Sequence, residues 1–263
     1  MGAVHGCYLK YVGLSLTSWA VASLVYGSPT DITRRDLTNS TGFGVGVGNN
    51  EPPLWRFLCG TALYYSASIN GFIAVLFKAR RFAWLLGKDS KRGTIPFWSY
   101  CIFAPFHVPT VLYTFVHCRQ MKKKGIPFAS EVCSGWYIGG RYSNLLRKHW
   151  SCVIDLTVEF PELCWSQTET YYHVPLWDGN PPSIEWIEAA ARVATANKEK
   201  GKVLVHCAHG VGRSTTVMCA CLVKAGEFKT WEEAFEACKL ERKCIKLNQG
   251  MKKALSLWQK AYV

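Results

Sequence analysis

The 263-residue chain contains no C-x-x-C pair and no His/Cys pattern of zinc-finger spacing, although it carries 12 cysteines and 7 histidines. A structural zinc site is therefore not indicated, and no metal or other cofactor is called for. The cysteines are scattered through apolar segments without paired spacing, which argues against a secreted disulfide framework and for a reducing, cytosol-facing environment. No internal repeat is visible. The glycine-rich run 42–50 lacks the G-x-G-x-x-G spacing of a dinucleotide fingerprint and reads as a flexible loop. Acids are scarce at the N-terminal side. Up to Lys124 there are 14 Lys+Arg against four acids, 14 − 4 = +10 of the overall +13. That charge stands in clusters beside long apolar runs, a membrane pattern rather than a nucleic-acid one.

Three stretches carry no charge at all: 11–27, 57–77 and 94–118. Their lengths bracket the roughly 20 residues that cross a bilayer as a helix. The second ends on Lys78, Arg80 and Arg81, as a stop-transfer segment does. The first follows Lys10 and reads as a retained span, a cleaved signal being the alternative. The third contains Pro96, Pro105 and Pro109 and has basic clusters on both sides, Lys88, Lys91 and Arg92 before it and Arg119 and Lys122 to Lys124 after it. A straight span would place one cluster on the disfavoured face, so a hairpin dipping into one leaflet is expected. The resulting expectation is a multi-pass endomembrane protein with residues 28–56 outside and everything after the second span in the cytosol. The sequon Asn39-Ser40-Thr41 agrees with an outside loop.

From residue 125 the texture changes, giving a 1–124 membrane region and a 125–263 domain. Short apolar runs alternate with amphipathic helices, the pattern of an α/β fold with a central mixed sheet flanked by helices. Strands are expected at Gly135–Ile138, Cys152–Val158, Thr170–Val174 and Lys202–His206. Helices are expected over Ser183–Lys200 with Ser183 as N-cap, from about Arg213, from the capping box at Thr230 to about Leu240, and behind Asn248, burying Met251, Leu255 and Trp258.

Between the strand ending at His206 and the helix starting near Arg213 lies HCAHGVGRS, residues His206 to Ser214. A loop between a buried strand and a helix N-terminus can turn successive backbone N–H groups onto an anion, here those of Ala208, His209, Gly210, Val211 and Gly212. The planar fork of Arg213 can bind two phosphate oxygens at once. The same field favours a thiolate at Cys207. A nucleophile would thus sit at the floor of its own anion hole.

This run resembles the H-C-x5-R-[ST] signature of the protein tyrosine phosphatase superfamily, and the domain is similar to its dual-specificity branch. Further matches are Trp177-Asp178-Gly179 about thirty residues upstream, the Tyr137-Ile138-Gly139-Gly140 opening, and Asn248-Gln249-Gly250-Met251. The resemblance covers about residues 130–262 and nothing before them. It implies that Asp178 protonates the leaving oxygen and then activates water, that His206 holds the loop and tunes the thiolate, and that Ser214 assists release of sulfur. Taken alone, His206 could instead bond a neighbouring carbonyl and Ser214 could simply cap the helix. His209 lies on the pocket rim. The loop has no lysine, which counts against a polyphosphorylated lipid headgroup. The implied activity is hydrolysis of phosphomonoesters, first on protein phosphotyrosine, phosphoserine or phosphothreonine. A lipid monoester phosphatase at the membrane surface is the alternative, and a phosphoprotein-binding pseudophosphatase ranks third. No nucleic-acid partner is expected, and the oligomeric state is open.

Overall fold

The computed structural model describes residues 4–26 and 53–263 (side chains from residue 8), so the sequon and the glycine-rich run lie outside the described residues. The chain divides into two compact units, one over Tyr8–Ala79 and one carrying Arg80–Val263.

The first unit pairs helix α1 (Val4–Tyr26) with helix α2 (Leu54–Ala79). Both form because their runs are rich in Leu, Ala and aromatic residues without proline. Among the described residues only α2 is both long and apolar enough to cross a membrane. Small and hydroxylated residues mediate the pairing: Ser15 Oγ donates to the Ala67 carbonyl at 2.7 Å, and Ser18 and Ser66 hydroxyls meet at 3.2 Å. A Cβ on Gly60 would lie 2.6 Å from that of Tyr26, so glycine permits the close approach. The outward faces are apolar, with Leu16, Leu24, Leu58 and Val75 all exposed.

In the second unit a five-stranded sheet has the order β1-β2-β5-β3-β4: β1 Ala129–Cys133, β2 Trp136–Gly139, β3 Trp150–Asp155, β4 Thr168–His173 and β5 Val203–His206. Only the β1–β2 pair is antiparallel. The expected strands form with shifts of at most three residues at their ends, and the antiparallel edge strand β1 was not anticipated. Alternation along β5 splits its side chains between two cores. Val203 and Val205 pack with helices α5 (Ile184–Lys198), α6 (Arg213–Lys224) and α8 (Gln249–Tyr262), while Leu204 packs with Tyr137, Trp150 and Cys164 on the other face. Helix α7 (Trp231–Glu241) opens on the expected capping box.

Residues 80–124 do not follow the expected division at 124. They belong to the unit that carries the sheet. The third apolar stretch forms helix α3 (Phe97–Ile102) and helix α4 (Ala104–Lys123), with Phe103 between them, rather than a hairpin tipped by its prolines. The physical reason lies in where the prolines fall. Pro96 precedes α3 and Pro105 occupies the first turn of α4, positions where the missing N–H costs nothing, and Pro109 is absorbed within the helix. One face of α4 is buried through Phe106, His107, Thr114, Cys118 and Met121, while Val108, Leu112, Phe115 and Val116 face outward.

Candidate active site

Parallel pairing aligns Gly139 on β2, His206 on β5 and Asp155 on β3 in one row at the carboxyl edge of the sheet. The loop Cys207–Gly212 leaves the sheet there and enters α6, whose residues are almost all buried. Its carbonyls are drawn outward one after another. The Ala208 carbonyl accepts from Arg141 N–H at 3.1 Å and that of Val211 from Lys246 N–H at 3.0 Å. Those of His209 and Gly210 accept from the Arg242 guanidinium at 3.1 and 2.8 Å. With these carbonyls engaged, the N–H groups of Val211 and Ser214 reach the Cys207 sulfur, the beginning of an anion cradle. Gly210 has φ +69°, and a Cβ there would come within 2.7 Å of the Gly139 backbone, so only glycine fits the turn.

Cys207 Sγ lies inside this cradle, 3.4 Å from Ser214 Oγ. Burial alone would raise its thiol. The Arg213 guanidinium, the Ser214 hydroxyl and the backbone N–H groups of Ser214 and Val211 outweigh burial and hold the thiol below its ordinary value. Ser214 therefore does more than cap: α6 has Gly212 at its N-cap with no side-chain cap bond, and the hydroxyl points to sulfur.

Arg213 is buried and held through both terminal nitrogens. Glu159 grips it in bidentate fashion, with Nη2 to Oε1 at 2.7 Å and Nη1 to Oε2 at 3.2 Å, and Nη1 also donates to the Leu156 and Leu176 carbonyls. Nη2 reaches Asp178 Oδ1 at 3.1 Å, so the structure brings the upstream aspartate to the loop with its side chain still 41 % exposed. Asn248 secures the Asp178 turn by donating to the Gly179 carbonyl at 2.9 Å while its Oδ1 caps α8 at Met251 N–H. Trp177 beside it donates Nε1–H to the Arg81 carbonyl at 3.2 Å.

His206 bonds a carboxylate, not a carbonyl: Nε2 lies 2.7 Å from Glu162 Oε2. Burial opposes its charge, but Glu162 and Asp155 prevail and raise its pKa to about 9, so it is an imidazolium at neutral pH. His209 is half-buried against α4, its ring 4.5 Å from that of His117 and its Nδ1 3.8 Å from Cys118 Sγ. Asp155, Glu162 and His206 bring ligand atoms within 4.8 Å of one another, a spacing that could hold a metal ion. Here Lys88 Nζ already supplies a cation to Asp155.

Sequence reasoning placed Cys207, Arg213, Asp178, Ser214, His206 and the loop N–H groups; the structure brings Cys207 beside Ser214 and Arg213 beside Asp178, while the His206 ring turns to Glu162. It missed Glu159, Glu162, Arg242 and Lys88. The two glutamates had a signal, since each interrupts the apolar run LTVEFPELCW that follows β3, where a carboxylate needs a partner. Arg242 and Lys88 had none.

A model of the dual specificity phosphatase catalytic domain matches residues 141–261. Dual specificity protein phosphatase 14 of mouse is 34% identical over 123 residues, 46% of this chain and 58% of that protein. The bovine protein of that name is 34% identical over 149 residues, 54% of this chain and 74% of its own length. A probable rhodanese domain-containing dual specificity protein phosphatase of Dictyostelium discoideum is 46% identical over 140 residues, 50% of this chain but only 29% of that protein. The chain thus spans less than two thirds of two of these three relatives. With the thiol, guanidinium and carboxyl converging on one cradle, this chain belongs to the dual-specificity phosphatase family of cysteine-dependent phosphatases.

Proposed function

We propose that the protein is a membrane-anchored phosphatase that hydrolyses phosphomonoesters, foremost phosphotyrosine, phosphoserine and phosphothreonine in proteins, through a phosphocysteine on Cys207. The observation that carries this reading is the Glu159-clamped Arg213 beside a thiol held below its ordinary value, with Asp178 at the same guanidinium. The thiolate attacks phosphorus while Arg213 and the N–H groups of residues 208–212 take the equatorial oxygens. Asp178 gives a proton to the leaving oxygen and then draws one from the water that cleaves the phosphorus–sulfur bond. Ser214 donates to the departing sulfur, and His206 steadies the strand end from which the loop springs. Anchoring rests on α2, apolar on its outward face and followed by Lys78, Arg80 and Arg81. That basic cluster favours a cytosolic catalytic unit, with α1 and α2 as the two passes.

A second reading, a phosphatase of lipid monoesters, is favoured by α4. Its inner side touches His209 of the loop, its outer side is apolar, and it ends in Lys122 to Lys124. The full chain in detergent, assayed on phosphopeptides and on vesicles containing a phospholipid monoester, separates the two. Turnover of phosphopeptides is expected; activity on the lipid alone overturns the protein reading. Cys207→Ser is expected to abolish turnover and Asp178→Ala to slow it roughly 100- to 10,000-fold, and full activity in either variant would refute the mechanism.

A further inference from the structure

The segment between α2 and α3 has no part in the signature, yet it reaches the catalytic unit's most buried charges. The Lys88 side chain is 1% exposed and forms an ion pair with Asp155, itself fully buried. Its ammonium also donates to the Thr157 carbonyl at 2.8 Å and to Thr157 Oγ1 at 3.1 Å. Tyr171 donates its hydroxyl to the same Asp155 oxygen at 2.9 Å. A few residues on, the Gly93 carbonyl accepts from Glu162 N–H at 2.9 Å, so the segment meets the Asp155 carboxylate through Lys88 and the Glu162 backbone through Gly93. Asp155 pairs in register with His206, the residue before Cys207. Four charges meet here: Lys88 and the imidazolium of His206 against Asp155 and Glu162. The sum is zero, with His173 beside them held toward its neutral form by burial.

We propose that Lys88 is a positioning residue for catalysis, whose ammonium offsets Asp155 and so keeps unbalanced negative charge away from the neighbouring Cys207. The inference deepens the reading of Cys207 as nucleophile and rests on it. Without Lys88 the cluster carries one net negative charge in a poorly screened interior, and a second negative charge on sulfur becomes harder to form. Arg213, Cys118, Arg242 and Cys244 also interact electrostatically with Cys207, Glu159 and Asp178 face it across Arg213, and none of these lies in the segment before α3.

The test is the pH dependence of iodoacetamide alkylation of Cys207 in the full chain in detergent, read by peptide mass spectrometry. Lys88→Met is expected to move the midpoint up by about one pH unit. Lys88→Arg, and the double variant Lys88→Met with Asp155→Asn, return it to the wild-type position. A folded Lys88→Met with an unmoved midpoint overturns the proposal, as does a double variant that stays with the single one. Should Lys88→Met lose its fold, Asp155→Asn alone decides: with Lys88 retained the midpoint falls, and an unchanged or raised midpoint overturns. Alkylation reads the thiol and not turnover. A wild-type chain with a low midpoint that hydrolyses no phosphomonoester would therefore sink the phosphatase reading without touching this one.

Discussion

The catalytic loop and the helix that follows it bury their cysteines equally and treat them oppositely. Cys207 is 4% exposed, and Cys219 and Cys221, on α6, are 0% exposed. Burial pushes the thiols of Cys219 and Cys221 well above their ordinary value, and only a backbone N–H works against it at each. At Cys207 the same burial is overridden by a guanidinium and by donors aimed at sulfur. Burial does not set reactivity; it amplifies whatever charge and dipoles surround the group, because the interior screens them poorly. An apolar shell therefore makes one cysteine inert and another nucleophilic within a single helix and the loop that precedes it.

The comparison breaks most severely if the guanidinium fork is lost. Arg213→Lys keeps one positive charge but cannot take two phosphate oxygens or match the bidentate grip of Glu159. A fall in kcat of roughly 100- to 1000-fold is expected, together with a rise in the Cys207 alkylation midpoint toward that of an ordinary thiol. Steady-state kinetics and thiol titration on the same preparation check both, and a variant that keeps its low midpoint would show that a positive charge alone, without the guanidinium fork, separates the two regions. A smaller effect sharpens the contrast directly. In the native chain at pH 7, iodoacetamide should modify Cys207 at least about tenfold faster than Cys219 or Cys221, because the thiolate is the reacting form. In denaturant the difference should vanish. Peptide mass spectrometry reads the three sites together, and equal native rates would contradict the opposite shifts.

How much of this was legible in the chain differs by the kind of interaction. Cys207, Arg213 and Ser214 share one loop and one helix turn, so local spacing alone states their geometry. Asp178 was legible only through the resemblance, since the turn that carries it is held by Asn248 and by the Arg81 carbonyl from distant parts of the sequence. Arg242 was illegible. In sequence it is one basic residue near the end of a helix; in the fold it ties Gly210, His209, Pro127 and Ser130 into a single node. The third apolar stretch misled for a similar reason. Lack of charge over 94–118 fits a membrane segment and a helix packed on a protein equally well, and α4 has one face of each kind. The N-caps at Ser183, Thr230 and Asn248 were legible, because such a cap is an interaction across three residues.

The smallest expected effect tests whether the cysteine contrast is local. Thr230 opens α7 with its hydroxyl accepting from Glu233 N–H at 3.3 Å, and Glu233 Oε2 accepts in return from the N–H groups of Lys229 and Thr230 at 3.1 and 3.3 Å. Thr230→Ala removes one of these partners and leaves an orphan donor at the helix start, a loss of about 1 kcal/mol. Helix α7 packs on α6 through Trp231, Ala234 and Cys238, so the chain should unfold at lower urea. None of the groups that set the Cys207 thiol lies on α7. Its alkylation midpoint and the native rate ratio to Cys219 should stand unchanged while the urea midpoint falls. If the ratio moved in step with stability, reactivity would be following local opening of α6 rather than the fixed charges of the cradle.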